Sequence, residues 1–155
     1  MEHTLQLGEI LKDGMYPVES EGGDNWRILH GDTLKLVKAF QPGTFDAVIL
    51  NGVSMYINDN ALEQIFKSLP GLCAARCSIY IGEPMAYRQR LTLDHFASKG
   101  LGTQYSAIYR TPQEVEEMLE PLRNTGFSIK KQHFLPEQVG SGREETGSYL
   151  FILRR

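Results

Sequence analysis

The sequence of 155 residues is poor in cysteine and has no long hydrophobic run. Its two cysteines, Cys73 and Cys77, are spaced C-x3-C, unlike the C-x2-C pairs of zinc sites and thioredoxin-type redox motifs. We therefore expect reduced, buried thiols and no metal site. No stretch approaches the length of a membrane-spanning helix. Residues 1–8 lack the basic and apolar segments of a signal peptide, so a cytoplasmic location is expected.

The sequence also has no large excess of either charge, since it contains 16 basic and 19 acidic side chains. Such a balance gives no overall attraction to nucleic acid or to an anionic membrane, and neither partner is expected. The glycine-rich motif of nicotinamide enzymes and the P-loop are absent. The segment at 52–56, GVSMY, lacks the second glycine of the hydrolase motif Gly-x-Ser-x-Gly. These absences remove the commonest nucleotide-binding and hydrolase classes.

What remains is a composition typical of one globular domain, with 41% hydrophobic and 23% charged residues. Residues 1–25 carry a weak pattern, which predicts a short helix at 4–12 and a loop around Pro17. The pattern sharpens over 26–155. Strands are predicted at 26–30, 45–50, 77–82, 127–134 and 148–153. Helices are predicted at 33–40, from Asn58 to a stop at Pro70-Gly71, and from Thr111 onward, with an irregular, aromatic and basic segment at 85–110.

Two details of the last helix come from capping and proline chemistry. Thr111-Pro112-Gln113-Glu114 is typical of a capping box, and Pro121 predicts a kink or an early stop. Gly126 is expected to take a positive φ after the helix.

The alternation of strands and helices predicts an α/β fold with a doubly wound, mostly parallel sheet. Its last two strands are expected to pair antiparallel. Ligands of such sheets bind beyond the carboxyl ends of the strands. Three groups fall at such ends: Gly31-Asp32, Asn51-Gly52-Val53 and Glu83-Pro84. Asp32 either accepts a hydrogen bond from a ligand or caps the helix that starts at Thr33, and Asn51-Gly52 is either a ligand-binding turn or a plain one.

The segments ILHGDTLKLV, TFDAVILNGVSMYI, LEQIFKSLPGLCAARCSIYIGEP and YRTPQEVEEMLEPLRNTGFSI, in this order, resemble the later part of class I S-adenosylmethionine-dependent methyltransferases. The resemblance covers residues 26–155 and implies a Rossmann-like fold with S-adenosylmethionine as cofactor. It implies that Asp32 and Thr33 contact adenine and that Asn51, Gly52 and Val53 line the methionine moiety. Tyr56 is then placed beside the substrate, which residues 83–109 help to cover.

The sequence departs from that family at its amino-terminal end. It lacks the glycine-rich turn that holds the cofactor's amino-acid part and the acidic residue that binds the ribose, so the fold is expected to be N-terminally shortened. Asn51 is followed by Gly-Val-Ser rather than Pro-Pro-Tyr, which disfavours methylation of DNA bases. The open alternatives are a methyltransferase completed by a partner, a degenerate fold retained for binding, and a fragment. Because missing edge strands expose backbone, a homodimer or a partner subunit is expected.

Candidate residues for chemistry are few, and none receives a firm catalytic role. Glu83 and His95 are the possible general bases, although a surface role suits His95 better. Tyr87 and Arg88, with Arg90, either bind a small-molecule substrate or form an exposed face. A methyltransferase with an unidentified acceptor is favoured over a non-catalytic binding domain.

Overall fold

A computed structural model describes residues 16–18, 28–30, 40–98, 102–135 and 143–155. The chain forms two compact units, which divide between Phe40 and Gln41, and the boundary expected near residue 25 stays a prediction. In the first unit, β1 (Tyr16–Val18) pairs antiparallel with β2 (Ile28–His30). The strand predicted at 26–30 is thus present in part. The loop predicted at Pro17 is wrong, because Pro17 lies within β1. Among the described strands β1 pairs with β2 alone, and proline is tolerated in such edge strands.

Four of the described strands form the main sheet of the second unit: β3 (Phe45–Asn51), β4 (Cys73–Ala86), β7 (Ser128–Phe134) and β8 (Thr146–Arg154). Their order across the sheet is β3-β4-β8-β7. Strands β3 and β4 run parallel, whereas β8 runs antiparallel to both β4 and β7. The antiparallel pairing of the last two strands is confirmed. A mostly parallel sheet is wrong for the described strands, because β8 lies between β4 and β7 and pairs antiparallel with both.

Helix α1 (Asp59–Leu72) connects the two parallel strands. The Asn58 side chain accepts a hydrogen bond from the Ala61 N–H at 2.9 Å, which confirms the predicted start. Its apolar stripe is buried: Leu62, Ile65, Phe66, Leu69 and Leu72. The predicted stop at Pro70-Gly71 is two residues early, since a proline in the last turn removes only one helical hydrogen bond.

The second helical segment follows its local signals closely. Helix α2 (Pro112–Met118) begins with the predicted capping box between Thr111 and Glu114. It ends before α3 (Glu120–Arg123), so the interruption predicted at Pro121 is confirmed. Gly126 has a φ of +92°, as expected. None of the described helices is long and apolar enough to cross a membrane.

The segment predicted to be irregular at 85–110 is instead a β-hairpin. Strand β4 continues to Ala86, and β5 (Leu91–Ser98) then pairs antiparallel with β6 (Thr103–Tyr109). The pairing register shifts between Leu93 and Phe96, and His95 within this bulge has a φ of +48°. A bulge breaks the two-residue alternation of a strand. This break explains why the sequence pattern gave no strand here.

The core between α1 and the sheet is apolar and contains both cysteines. Cys73 and Cys77 are free and buried, as expected. Burial, and then the neighbouring Cys77 thiol, raise the pKa of Cys73 to about 12. The largest fully buried side chains on the sheet are Ile79, Ile81, Met85, Phe151 and Leu153. This core holds α1 and the sheet together, and the parallel ladder holds β3 against β4.

Candidate functional site

The parallel pairing of β3 with β4 ends at Asn51 and Gly82, and β4 itself continues to Ala86. The Gly52 N–H donates to the Gly82 carbonyl at 2.8 Å, and Gly52 turns the chain with a φ of +65°. A Cβ at Gly82 would lie 2.8 Å from Oδ1 of Asn51, so glycine is needed for this close approach. The structure therefore brings the predicted residues Asn51, Gly52 and Val53 next to the end of β4, which carries Glu83.

Residues 52–58, which we call the β3–α1 loop, contain a single 3-10 turn at Ser54–Tyr56. Oε1 of Glu83 accepts the N–H of Val53 at 3.1 Å and the N–H of Ser54 at 2.9 Å. Glu83 is only 2% exposed, and its Oε2 has no hydrogen-bond partner in the described part of the chain. Burial raises the pKa of the Glu83 carboxyl, and the bonds from Ser54 and Val53 offset part of that rise. This carboxylate is therefore engaged in holding the start of the loop.

Arg110 holds the same loop from its other end, and the sequence patterns did not identify it. Its Nη1 donates to the Ser54 carbonyl at 2.9 Å and its Nη2 to the Ile57 carbonyl at 2.7 Å. Its Nε donates to Oδ1 of Asp59 at 2.8 Å. The residue is 2% exposed. The one sequence signal that pointed to Arg110 is its position directly before the capping box. This position places it at the junction where β6 ends and α2 begins.

Asp59 connects this arrangement to the surface. It also accepts a hydrogen bond from Arg90 Nη2 at 2.7 Å, and Arg90 in turn contacts Glu114 at 3.5 Å. Burial alone would raise the pKa of Asp59, but the hydrogen bonds from Arg90 and Arg110 outweigh it and leave the pKa lowered. The first residue of α1 is thus an ionised carboxylate between two guanidinium groups.

The side chains of the β3–α1 loop divide into an anchored set and an outward set. Met55 is buried against Ala86, Ala107 and Tyr109. Val53 and Tyr56 point outward and are 41% and 59% exposed. The loop therefore offers an apolar and an aromatic side chain to a ligand while its backbone is held from the inside.

A cleft of about 790 Å³ opens beyond the carboxyl end of β4. It is lined by Tyr87, Arg88, Gln89, Arg90, Leu91, Glu144 and Glu145. The Tyr87 N–H donates to the Glu145 carbonyl at 3.0 Å, and its ring packs on Phe134 with centroids 4.8 Å apart. Tyr87 and Arg88, which the sequence suggested for substrate, thus share one cleft.

The remaining candidates lie elsewhere or outside the described residues. His95 is exposed on the β5–β6 hairpin, where its Nδ1 lies 2.7 Å from Oδ1 of Asp94 and its N–H donates to Ser106. No hydrogen bond of the described residues joins it to the β3–α1 loop. Asp32 and Thr33 lie outside the described residues, as do the helices predicted at 4–12 and 33–40.

Comparison with solved structures shows a methyltransferase-like fold. The chain is similar to the 1,6-didemethyltoxoflavin-N1-methyltransferase of Burkholderia thailandensis, solved with S-adenosylhomocysteine, at 14% identity and a TM-score of 0.57. The match covers 77% of this chain and 48% of that enzyme. A SAM-dependent methyltransferase from Archaeoglobus fulgidus matches at 12% identity and a TM-score of 0.55, over 81% of this chain and 66% of that one. One from Methanosarcina mazei matches at 10% identity and a TM-score of 0.55, over 75% and 61%.

These matches establish structural similarity to class I S-adenosylmethionine-dependent methyltransferases over roughly three quarters or more of the chain. The chain spans about half the length of the Burkholderia enzyme, which it matches over 48%. No protein-family model and no curated protein matched the sequence. At the identities found, the likeness concerns the fold.

Proposed function

We propose that residues 41–155 form the acceptor-binding side of an S-adenosylmethionine-dependent methyltransferase that acts on a small molecule. The observation that carries the proposal is the β3–α1 loop, held in one conformation where two parallel strands end. Such ends are the ligand-binding edge of α/β sheets. The Burkholderia structure supports the assignment, because it contains both 1,6-didemethyltoxoflavin and S-adenosylhomocysteine.

The described residues fit one wall of a site for this cofactor. Apart from its chain neighbours, no atom of the described residues lies within 4 Å of the position that a Cβ on Gly52 would occupy, so a ligand has room to approach its backbone. In the proposal, Asn51, Gly52 and Val53 line the methionine moiety, and Asp32 with Thr33 contact the adenine. The cofactor supplies an activated methyl group when it is bound. Tyr56, exposed on the same loop, borders the acceptor.

The cleft beyond β4 is the proposed acceptor site. Its volume of about 790 Å³ is within the range of small-molecule pockets. Tyr87 offers an aromatic surface and Arg88 a cation, which together suit an aromatic or acidic acceptor. Because methyl transfer is an in-line displacement, the chain contributes mainly by holding the acceptor at the correct angle and distance.

The proposal includes a second chain for the other wall of the cofactor site. Among the described strands, β3 has a neighbour only on its β4 side, and Ile49 on β3 is 71% exposed. An apolar edge strand of this kind is commonly paired with another chain. We expect a second copy to supply the other wall.

Isothermal titration of the 155-residue chain with S-adenosylhomocysteine and S-adenosylmethionine tests the proposal. We expect micromolar binding that weakens about tenfold or more, or about 1.4 kcal/mol, in Asp32→Ala. Asp46→Ala is the matched control, because it removes an exposed carboxylate from the opposite end of β3. Absence of heat at millimolar ligand would contradict the proposal.

The alternative is a methyltransferase-like domain that binds a partner or a ligand without catalysis. The missing glycine-rich turn in the sequence is the observation in its favour. The two functions differ in one measurable respect, because only the enzyme requires the cofactor. A ligand screen in which compounds bind the cleft while S-adenosylhomocysteine does not bind would favour this alternative.

A further inference from the structure

We propose that Glu83 and Arg110 are positioning residues, which together hold the β3–α1 loop in its ligand-binding conformation, and that Glu83 is not the general base. The consequence for ligand affinity rests on the function proposed above. The effect on the loop itself does not, and the two are measured separately below.

The two residues hold complementary backbone groups. Glu83, about thirty positions along the chain from the loop, accepts the N–H groups of Val53 and Ser54 at its start. Arg110 donates to the carbonyl of Ser54, the residue whose N–H Glu83 accepts, and to the carbonyl of Ile57 near the end of the loop. No ion pair within the described residues joins Glu83 to Arg110. Glu83 is compensated by N–H dipoles of the loop, whereas Arg110 is compensated by loop carbonyls and by the carboxylate of Asp59 at 2.7 Å. Hydrogen bonds to ionised groups are about twice as strong as neutral ones.

The geometry argues against general acid–base catalysis by Glu83. Its Oε1 already accepts two N–H groups, and the residue is 2% exposed. It does not line the cleft that contains Tyr87 and Arg88. A general base must come within hydrogen-bond reach of the proton that it removes. The Glu83 carboxylate is instead enclosed beneath the loop, where it holds the backbone N–H groups of Val53 and Ser54.

Loss of this support has a defined consequence. The outward side chains of the loop, Val53 and Tyr56, lie between the two points at which it is held. Without Arg110, the Ser54 and Ile57 carbonyls lose their partners and the loop samples other conformations. Ligand affinity then falls in proportion to the fraction of molecules that retain the binding conformation.

Amide hydrogen exchange of ligand-free protein measures the loop directly. We expect Arg110→Met to accelerate exchange of the Val53 and Ser54 amides by about tenfold or more, since their opening requires less free energy. Arg110→Lys, which keeps the charge but reaches fewer acceptors, should recover part of the protection. Glu83→Gln should change exchange only slightly, because a Gln Oε1 still accepts both N–H groups. Retained protein fold in each variant is checked by circular dichroism.

Arg155→Met is the matched control. Arg155 also donates to three backbone carbonyls, those of Pro70, Cys73 and Ala74, but at the amino-terminal end of β4. Its loss should accelerate exchange near those residues and leave the β3–α1 loop protected. It should also leave the affinity for S-adenosylhomocysteine unchanged, even if it lowers stability as much as Arg110→Met does.

The outcomes separate the two proposals. If folded Arg110→Met and Arg110→Lys both keep wild-type exchange in the loop, the positioning role is refuted, whatever binds. If exchange rises in Arg110→Met and S-adenosylhomocysteine affinity falls by a similar factor, with partial recovery in Arg110→Lys, the role is supported. If exchange rises but the wild-type chain binds no S-adenosylhomocysteine, the positioning role stands and the methyltransferase function fails.

Discussion

Replacement of Gly147 by alanine tests the packing of Tyr87, the aromatic residue assigned to the acceptor cleft. Gly147 lies on β8, where it is buried and pairs with Met85. A Cβ at this position would lie 2.8 Å from Cζ and 2.9 Å from Cε1 of Tyr87, with the Tyr87 hydroxyl oxygen in contact as well. Carbon atoms of this kind do not pack closer than about 3.5 Å. Gly147→Ala therefore requires the tyrosine ring to shift, which disturbs its packing on Phe134.

The size of the effect follows from the contacts that move. The pair formed by Tyr87 and Phe134 contributes about 0.5–1.5 kcal/mol. Tyr87 is already 48% exposed, so release of its ring uncovers at most half of a tyrosine surface, or about 2 kcal/mol. Replacement of glycine by alanine at a compatible backbone angle otherwise stabilises by about 0.4–1 kcal/mol. We expect a net destabilisation of about 1–2 kcal/mol.

Urea unfolding of four proteins separates the clash from other effects: the wild type, Gly147→Ala, Tyr87→Ala and the double variant. In the Tyr87→Ala background the clash is gone, so Gly147→Ala should become stabilising by about 0.4–1 kcal/mol. The sign of the effect thus reverses between the two backgrounds. An equal loss of stability in both would refute the reasoning, because the cost would then not come from Tyr87.

Three further predictions concern stability and assembly. Thr111→Ala removes the capping box of α2 and should lower the free energy of unfolding in urea by about 1 kcal/mol, whereas Gln113→Ala, an exposed position, should change it little. Burial raises the pKa of Glu83 in the folded state above its unfolded pKa near 4.5. Protonation of Glu83 therefore stabilises the fold fully below pH 4.5, and this stabilisation is lost as pH rises through the folded pKa. The free energy of unfolding of Glu83→Gln should lack this loss, and a wild type and variant with the same pH dependence would contradict the prediction. Light scattering should show a dimer that Ile49→Lys on β3 dissociates, and a monodisperse wild-type monomer would oppose this.

Elements with strong local signals were predictable from the sequence. The start of α1 depends on Asn58 and its apolar stripe, and the capping box depends on Thr111 and Glu114. The interruption at Pro121 and the positive φ of Gly126 follow from the backbone limits of these two residue types. In each case the cause lies within a few residues of the effect, so no tertiary information was required.

The β5–β6 hairpin was missed for the opposite reason. Its bulge at His95 shifts the alternation of side chains by one position, and the pairing partner that reveals the strand is on the other arm. The direction of the sheet was also misjudged. Whether a strand pairs parallel or antiparallel depends on which neighbour it joins, and β8 inserts between β4 and β7 instead of adding to the end. Neither choice has a local signal.

The residues that shape the candidate site were also hard to predict, because their partners lie far away along the chain. Glu83 was noticed because it ends a buried strand, but its partners on the β3–α1 loop are 29 and 30 positions away. Arg110 reaches carbonyls 53 and 56 positions away, and no spacing rule connects residues at such separations. A charge buried to this extent is retained only if compensating groups surround it. Here the compensating groups are backbone groups of the loop for Glu83, and loop carbonyls with Asp59 for Arg110.

The hydrogen bonds described for the β3–α1 loop all lie within one unit of the chain. Glu83, Arg110 and the loop itself belong to the unit formed by residues 41–155. Residues proposed for the cofactor, Asp32 and Thr33, belong to the other unit. In the function proposed above, the loop that borders the acceptor is therefore held by residues of its own unit, and affinity for the cofactor should also depend on Asp32 and Thr33.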